Sequence, residues 1–232
     1  MRPDTFKIMR KSQAATWSDE LLASYLEDLK AATREGRNIM TEKYARMMES
    51  TFPEEYRKLA ASLPSVDKET LQKIEEIVAI SVGWKAELFD RYPRLSGKGR
   101  PLRTSEDSAM ETSFETYLRG ELKTYSAHTI TLLHELTLRQ QQDGVNGAAL
   151  NLLNQVQQYG YATLEQAEAI AREPDGVPGF PEGAALPICL FQLDAPSERQ
   201  AARKANSRDP KAPDRRGRRR PWRSWRLSIF PE

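Results

Sequence analysis

Thr16-Trp17-Ser18-Asp19-Glu20-Leu21-Leu22-Ala23-Ser24-Tyr25-Leu26-Glu27-Asp28-Leu29, running on to Glu35-Gly36-Arg37-Asn38, decides the fold. The Ser18 hydroxyl suits the position just before a helix, where it accepts an amide left unpaired by the first turn. Asp19 and Glu20 lie where the helix dipole favours carboxylates. Leu21, Leu22, Tyr25, Leu26 and Leu29 then recur at the spacing of one helix face. Gly36 provides the left-handed stop and Asn38 the next cap, so the segment predicts an amphipathic helix, a tight turn and a second helix folding back.

The same grammar continues on both sides. Asp4 can cap a short helix through about Gln13. Ile39, Met40, Tyr44, Met47 and Met48 give the second helix of the hairpin its apolar side, and Pro53 suits the first turn of a third. Asp67 and Glu69, followed by Leu71, Ile74, Ile77, Val78, Trp84, Leu88 and Phe89, mark a long helix to about Arg91, closed by Pro93. Residues 93–105 read as the one long internal loop, basic and with two glycines. Further helices are expected over 108–122, from the Ser126 cap to about Gln141, over 146–159, and over 164–172 behind a Thr163/Gln166 capping box.

The expected architecture is all-α: seven or eight antiparallel helices over residues 4–173, arranged as a multi-helix bundle or as stacked hairpins. The segment from Thr16 aligns without gaps with the segment from Thr124, 108 residues on, with five identities over 16–56. Both halves read as cap, helix, glycine stop, asparagine cap, helix. Two explanations stand: an internal duplication, or turn chemistry alone placing Gly and Asn at helix junctions.

Composition bounds the rest. Of the 232 residues 29% are charged and 39% hydrophobic, which supports a packed core beneath a solvated surface. No apolar run approaches a membrane span of roughly 20 residues, and the start of the chain lacks a signal-peptide core, so a cytoplasmic location is expected. One cysteine, Cys189, precludes an internal disulfide and a thiolate metal cluster. The net charge of +2 hides a division, because residues 197–232 hold 12 Lys and Arg against 4 Asp and Glu, leaving the body acidic. Three segments follow: a helical domain over 1–173, a Pro/Gly-rich linker over 174–196, and a basic, disordered tail over 197–232. Arg215, Arg216, Arg218, Arg219 and Arg220, with Trp222 and Trp225, suit weak contact with nucleic acid, since arginines attract phosphates and indoles stack on unpaired bases. Out-of-frame reading of GC-rich DNA produces the same composition.

No phosphate-loop, dinucleotide or zinc-protease spacing occurs, and neither a metal nor a cofactor is expected. His128 and His134 are six apart and project from different helix faces. The candidate chemistry lies in Glu115-Thr116-Tyr117-Leu118-Arg119-Gly120-Glu121. Glu115 and Arg119 are spaced to pair, while Tyr117 and Glu121 share a neighbouring face. Glu115, Arg119 and Glu121 are the candidate catalytic groups. Arg37, Asn38, Tyr117 and Tyr125 are the candidate ligand contacts, with capping as the competing account of Asn38.

Thr5-Phe6-Lys7-Ile8-Met9-Arg10-Lys11-Ser12-Gln13, Glu35-Gly36-Arg37-Asn38, Glu42-Lys43-Tyr44-Ala45-Arg46-Met47-Met48-Glu49, the run from Thr112 to Leu122, and Tyr159-Gly160-Tyr161 together resemble a bacterial family of uncharacterised proteins, domain of unknown function 4125. The resemblance covers about Thr5 to Ala171. It implies a soluble bacterial protein and, since family members carry a further N-terminal segment, a chain truncated at its start. It implies no activity. Two functions therefore remain: a noncatalytic helical module for a protein partner or small ligand, or an enzyme acting on an anionic or phosphorylated substrate. An enzyme requires Arg37 and the Glu115–Glu121 group to converge in one pocket.

Overall fold

Seven helices of the computed structural model start behind a residue whose side chain takes over an unpaired amide. The structure describes residues 3–96 and 100–171. Ten α-helices occur among them: α1 (Pro3–Ala14), α2 (Asp19–Arg34), α3 (Ile39–Thr51), α4 (Pro53–Leu59), α5 (Lys68–Arg91), α6 (Pro93–Ser96), α7 (Phe114–Leu122), α8 (Ala127–Gln142), α9 (Gly147–Gln158) and α10 (Leu164–Ile170). Ser18, Asn38, Asp67, Ser126, Asn146 and Thr163 each accept an amide three residues ahead, as their positions in sequence predict. The fold is all-α, with no β-strand among the described residues. The linker, the basic tail with its arginines and tryptophans, and Cys189 all lie outside the described residues.

Two expectations need correction. The helix expected over 108–122 begins only at Phe114, because Ser113 rather than Ser108 caps it and the Asp107 carboxylate already holds the Ser113 amide at 2.6 Å. The backbone N–H groups of Phe114 and Glu115 also bond back to Pro101 and Leu102 carbonyls, tying the preceding loop across the helix start. The loop expected over 93–105 contains a single helical turn, α6, whose amides at Arg94 and Leu95 donate to the buried Glu168 carboxylate at 3.1 and 2.8 Å. This short turn, added to the nine helical segments read from sequence, brings the count among the described residues to ten, above the seven or eight helices expected.

Helix α5 is the spine. Ile74, Ile77, Val78 and Val82 pack with Phe114, Leu118 and Leu122 of α7 and Ile130 of α8. Farther along, Leu88 joins Tyr92, Leu95, Leu152, Val156, Leu164 and Ala167 in a second core.

The 108-residue offset is a structural repeat. Thr16 and Thr124 each donate their hydroxyl at 2.7 Å to the carbonyl three residues back, closing α1 and α7 in the same way. Both α2 and α8 are 16 residues long. Gly36 and Gly144 both have φ +67°, and the amides after them reach back at 2.8 and 2.7 Å to Ala32 and Gln140, the same carbonyl in each turn. The packing exchanges partners as two-fold-related halves would: α1 lies on α9, α7 lies on α3, and α2 lies on its own counterpart α8. So α1–α3 and α7–α9 are equivalent units, and α5 packs on the second.

A Cβ added at Gly36 or Gly144 would meet nothing within 4 Å, so backbone strain alone opposes substitution. Gly36→Ala and Gly144→Ala should therefore each cost about 1–2 kcal/mol, equally within error, in urea denaturation.

Candidate functional site

The chemistry-bearing residues of α7 part to two sides. Toward α5, Arg119 makes a bidentate pair with Glu75 at 2.8 and 2.9 Å and also holds Glu115 at 2.9 Å. Its remaining nitrogen donates to Thr104 Oγ1 at 3.1 Å. The i, i+4 pairing read from sequence is present, but its role is to clamp α7 to α5. Burial disfavours the charged form of Glu115, yet the Thr104 amide and Arg119 outweigh it and hold the carboxyl below its ordinary range.

Toward α1 and α3 lies an ionic centre inside the protein. Glu121 is 2% exposed. One of its oxygens accepts from Arg10 of α1 at 2.6 Å and from the Tyr125 hydroxyl at 2.9 Å. The other accepts from Lys43 of α3, a side chain that is 1% exposed. The Lys43 ammonium also lies 3.4 Å from the centre of the Tyr117 ring, and the Arg100 guanidinium stands 5.0 Å from the same ring. Gly120 makes the approach of α7 to α3 possible: a Cβ there would stand 3.0 Å from Met47 Cγ and 3.2 Å from the Lys43 carbonyl.

Burial would raise the Glu121 carboxyl, but Lys43 and Arg10 overcome it and hold it at about 2. Burial pulls Lys43 down to about 8; Glu121 opposes this, while Arg10 and Arg100 add to it. Burial and the Glu121 charge push the Tyr125 and Tyr117 phenols up. The centre thus combines a carboxylate that stays ionised with an amine that loses its proton in mild alkali.

Of the sequence candidates, Glu121, Tyr117 and Tyr125 meet here. Glu115 and Arg119 face the other way. Arg37 closes on Glu42 with two bonds of 2.8 and 2.9 Å and on Glu35 at 2.9 Å. No hydrogen bond or ion pair among the described residues joins it to Glu115, Arg119 or Glu121. Asn38 caps α3, its oxygen accepting from the Thr41 amide at 3.0 Å. Lys43, Arg10 and Arg100 escaped sequence reasoning. The one available signal was their placement: Lys43 follows Glu42 among the apolar residues of α3, and Arg10 lies on the same helix face as Phe6 and Gln13.

An open cleft of about 450 Å³ also lies where the α8–α9 turn meets α5, lined by Ile80, Gly83, Trp84, Glu87, Gln141 and Val145 among others. Its carboxylate, Glu87, already accepts from the Asn146 amide at 2.8 Å. Among the described residues, no group of three or more His, Cys, Asp or Glu is placed to hold a metal ion, and no helix is long and apolar enough to cross a membrane.

The family model described as "Protein of unknown function (DUF4125)" matches residues 1–169, and the chain belongs to that family. No curated protein and no solved structure matches the chain.

The shared carboxylate makes the two sides of the ionic centre unequal. Glu121→Gln removes the anion that both Arg10 and Lys43 use and should cost about 3–5 kcal/mol. Lys43→Met leaves Arg10 and Tyr125 on Glu121 and should cost less than half as much in the same denaturant titration. The pH dependence has two limbs. Glu121 drops from 4.5 to about 2 on folding, so its contribution is present above pH 4.5 and is lost as pH falls toward 2. Lys43 drops from 10.5 to about 8, so the unfolded chain keeps a proton that the folded one has shed, and its contribution grows as pH climbs between those values. The buried tyrosines, raised above 10, act in the opposite sense in stronger alkali. Denaturant midpoints between pH 8 and 10 should therefore rise in the parent relative to Lys43→Met.

Proposed function

We propose that this member of the family is a noncatalytic helical module that binds a protein partner through its outer helix faces. The observation that carries this reading is the engagement of the candidate groups. Arg37 is spent on Glu42 and Glu35, Arg119 on Glu75 and Glu115, and Glu121 on Lys43, Arg10 and Tyr125. Each set joins neighbouring or distant segments of the fold, and no hydrogen bond or ion pair among the described residues links Arg37 to the Glu115–Glu121 group that an enzyme would need beside it. The open cleft at Trp84 offers one carboxylate, already hydrogen-bonded, and no nucleophile–base pair among its lining residues.

The competing reading, small-anion binding or chemistry at Lys43, has one observation in its favour: an amine held at about 8 beside two tyrosines and two guanidinium groups. A thermal-shift panel separates the two. Inorganic phosphate, citrate and nucleoside mono- and diphosphates at millimolar concentration should leave the melting temperature of the full chain within about 1 °C. A rise of several degrees that disappears in Lys43→Met would move the function to the ionic centre and end the partner-binding reading.

A further inference from the structure

We infer that the exposed face formed by α1 and α2 is the docking site for an amphipathic α-helix of another protein, one patterned like α5 with acidic residues beside its apolar stripe. The inference deepens the partner-binding reading and rests on it.

The repeat shows what kind of object fits. In the second unit, α5 lies across α7, α8 and α9. Shifted back by 108 residues, the positions facing α5 fall on α1 and α2. Phe114, packed against Ile74, Ile77 and Val78 and only 6% exposed, has Phe6 as its counterpart, which is 38% exposed. His134, which bonds Glu76 of α5 at 2.6 Å, has Leu26 as its counterpart, 49% exposed. Thr137 is buried, and its counterpart Leu29 is 38% exposed. Half of the large apolar side chains that face solvent among the described residues are thus gathered on this one surface.

Charge specifies the partner further. Arg119 grips Glu75 of α5, and its counterpart is Lys11. One turn earlier, Glu115 has Lys7 as its counterpart. Both lysines are exposed, and neither makes an ion pair among the described residues. A helix lying on this face as α5 lies on its own would bring an acidic side chain to Lys11. The pattern that satisfies both requirements is that of α5, Ile74-Glu75-Glu76-Ile77-Val78 with Val82 one turn on, but with an apolar residue at the place of Glu76, which would meet Leu26 where it now meets His134.

Because the two faces correspond position for position, α5 supplies a probe once Glu76 is exchanged for an apolar residue. A fluorescent synthetic peptide of residues 68–91 carrying Glu76→Leu should bind the full-length chain, and one that also carries Ile77→Asp should not. Leu26→Asp should weaken binding roughly tenfold or more, the loss expected from one large apolar contact. Leu29→Lys, at a separate exposed position, serves as the second variant, and both should keep the parent's circular dichroism spectrum and melting temperature. Binding insensitive to both substitutions would mean that the peptide exchanges with resident α5, and it would overturn the proposal, as would no binding at all. A dimer of the unliganded chain, split to monomers by Leu26→Asp, would show that a second copy occupies the face, and it too would overturn it. Failure of the peptide beside an unchanged anion panel removes this face and this helix alone, whereas an anion shift removes the partner-binding reading itself.

Discussion

A carboxylate cannot be left alone in an apolar interior, and the Glu121 side chain is satisfied only by gathering α1, α3 and the residues after α7 around it. Burying an ionised carboxyl costs several kcal/mol unless opposite charge and hydrogen bonds replace the lost water. Arg10, Lys43 and Tyr125 supply these from positions 111, 78 and 4 residues away in the chain. The long reaches make this centre the tie between the two repeats, since Arg10 and Lys43 belong to one and Glu121 to the other. The Asp107 carboxylate reinforces the seam, accepting from Ser50 of α3 at 2.5 Å and Thr116 of α7 at 2.6 Å.

Among the described residues, no ion pair joins α1 to α9 at the equivalent seam on the other side. Where Lys43 meets Glu121, the counterparts are Asn151 and Gln13. Asn151 accepts from Gln155 at 3.0 Å, and Gln158 reaches the Ser12 hydroxyl at 2.6 Å. Neutral amides therefore suffice to pack one helix of this pair on the other, and the charges of the first seam are not demanded by packing. They do discriminate. A chain with two similar units can mispair them, laying α7 on α9 instead of α3, and that arrangement would bury Glu121 against Asn151 with no cation. The cost of an unpaired carboxylate falls on the wrong topology alone, which is how a buried ion pair specifies an arrangement even when it adds little to stability.

Local chemistry was legible in the sequence, and distant chemistry was not. Ser18, Asn38, Ser126 and Asn146 could be read as caps because cap and amide are three residues apart, and Gly36 and Gly144 as stops because the left-handed conformation favours glycine. Glu115 with Arg119, and Tyr117 with Glu121, follow from helix periodicity in the same way. Periodicity does not reveal that Arg119 spends two bonds on Glu75, 44 residues away, or that a lysine of α3 is drawn inside by a glutamate of α7. The late start of α7 has the same origin: Ser108 is as good a cap by type as Ser113, and the choice is made by Asp107 and by the Pro101 and Leu102 carbonyls, which fold back onto the helix start. The repeat became decidable for a related reason, since five identities do not exclude coincidence, whereas matched turn bonds and exchanged packing partners involve the whole of both units.

One helix serving two equivalent units is the source of the remaining asymmetry. If α1 and α2 simply faced water, their outward positions should have become more polar than the covered positions of α7 and α8. At two positions the reverse holds: the shielded members are His134 and Thr137, and the exposed ones are Leu26 and Leu29. In the second unit a shielded polar side chain is tolerable because it finds a partner, as His134 finds Glu76 of α5 and the buried Thr137 finds the Leu133 carbonyl of its own helix at 2.7 Å. On the uncovered unit no such accommodation explains the leucines, and scattered exposure would not place Phe6 at the counterpart of Phe114 on the same surface. Apolar character has been kept where a covering helix would reward it, which is what the docking of a helix from another protein on the first unit requires.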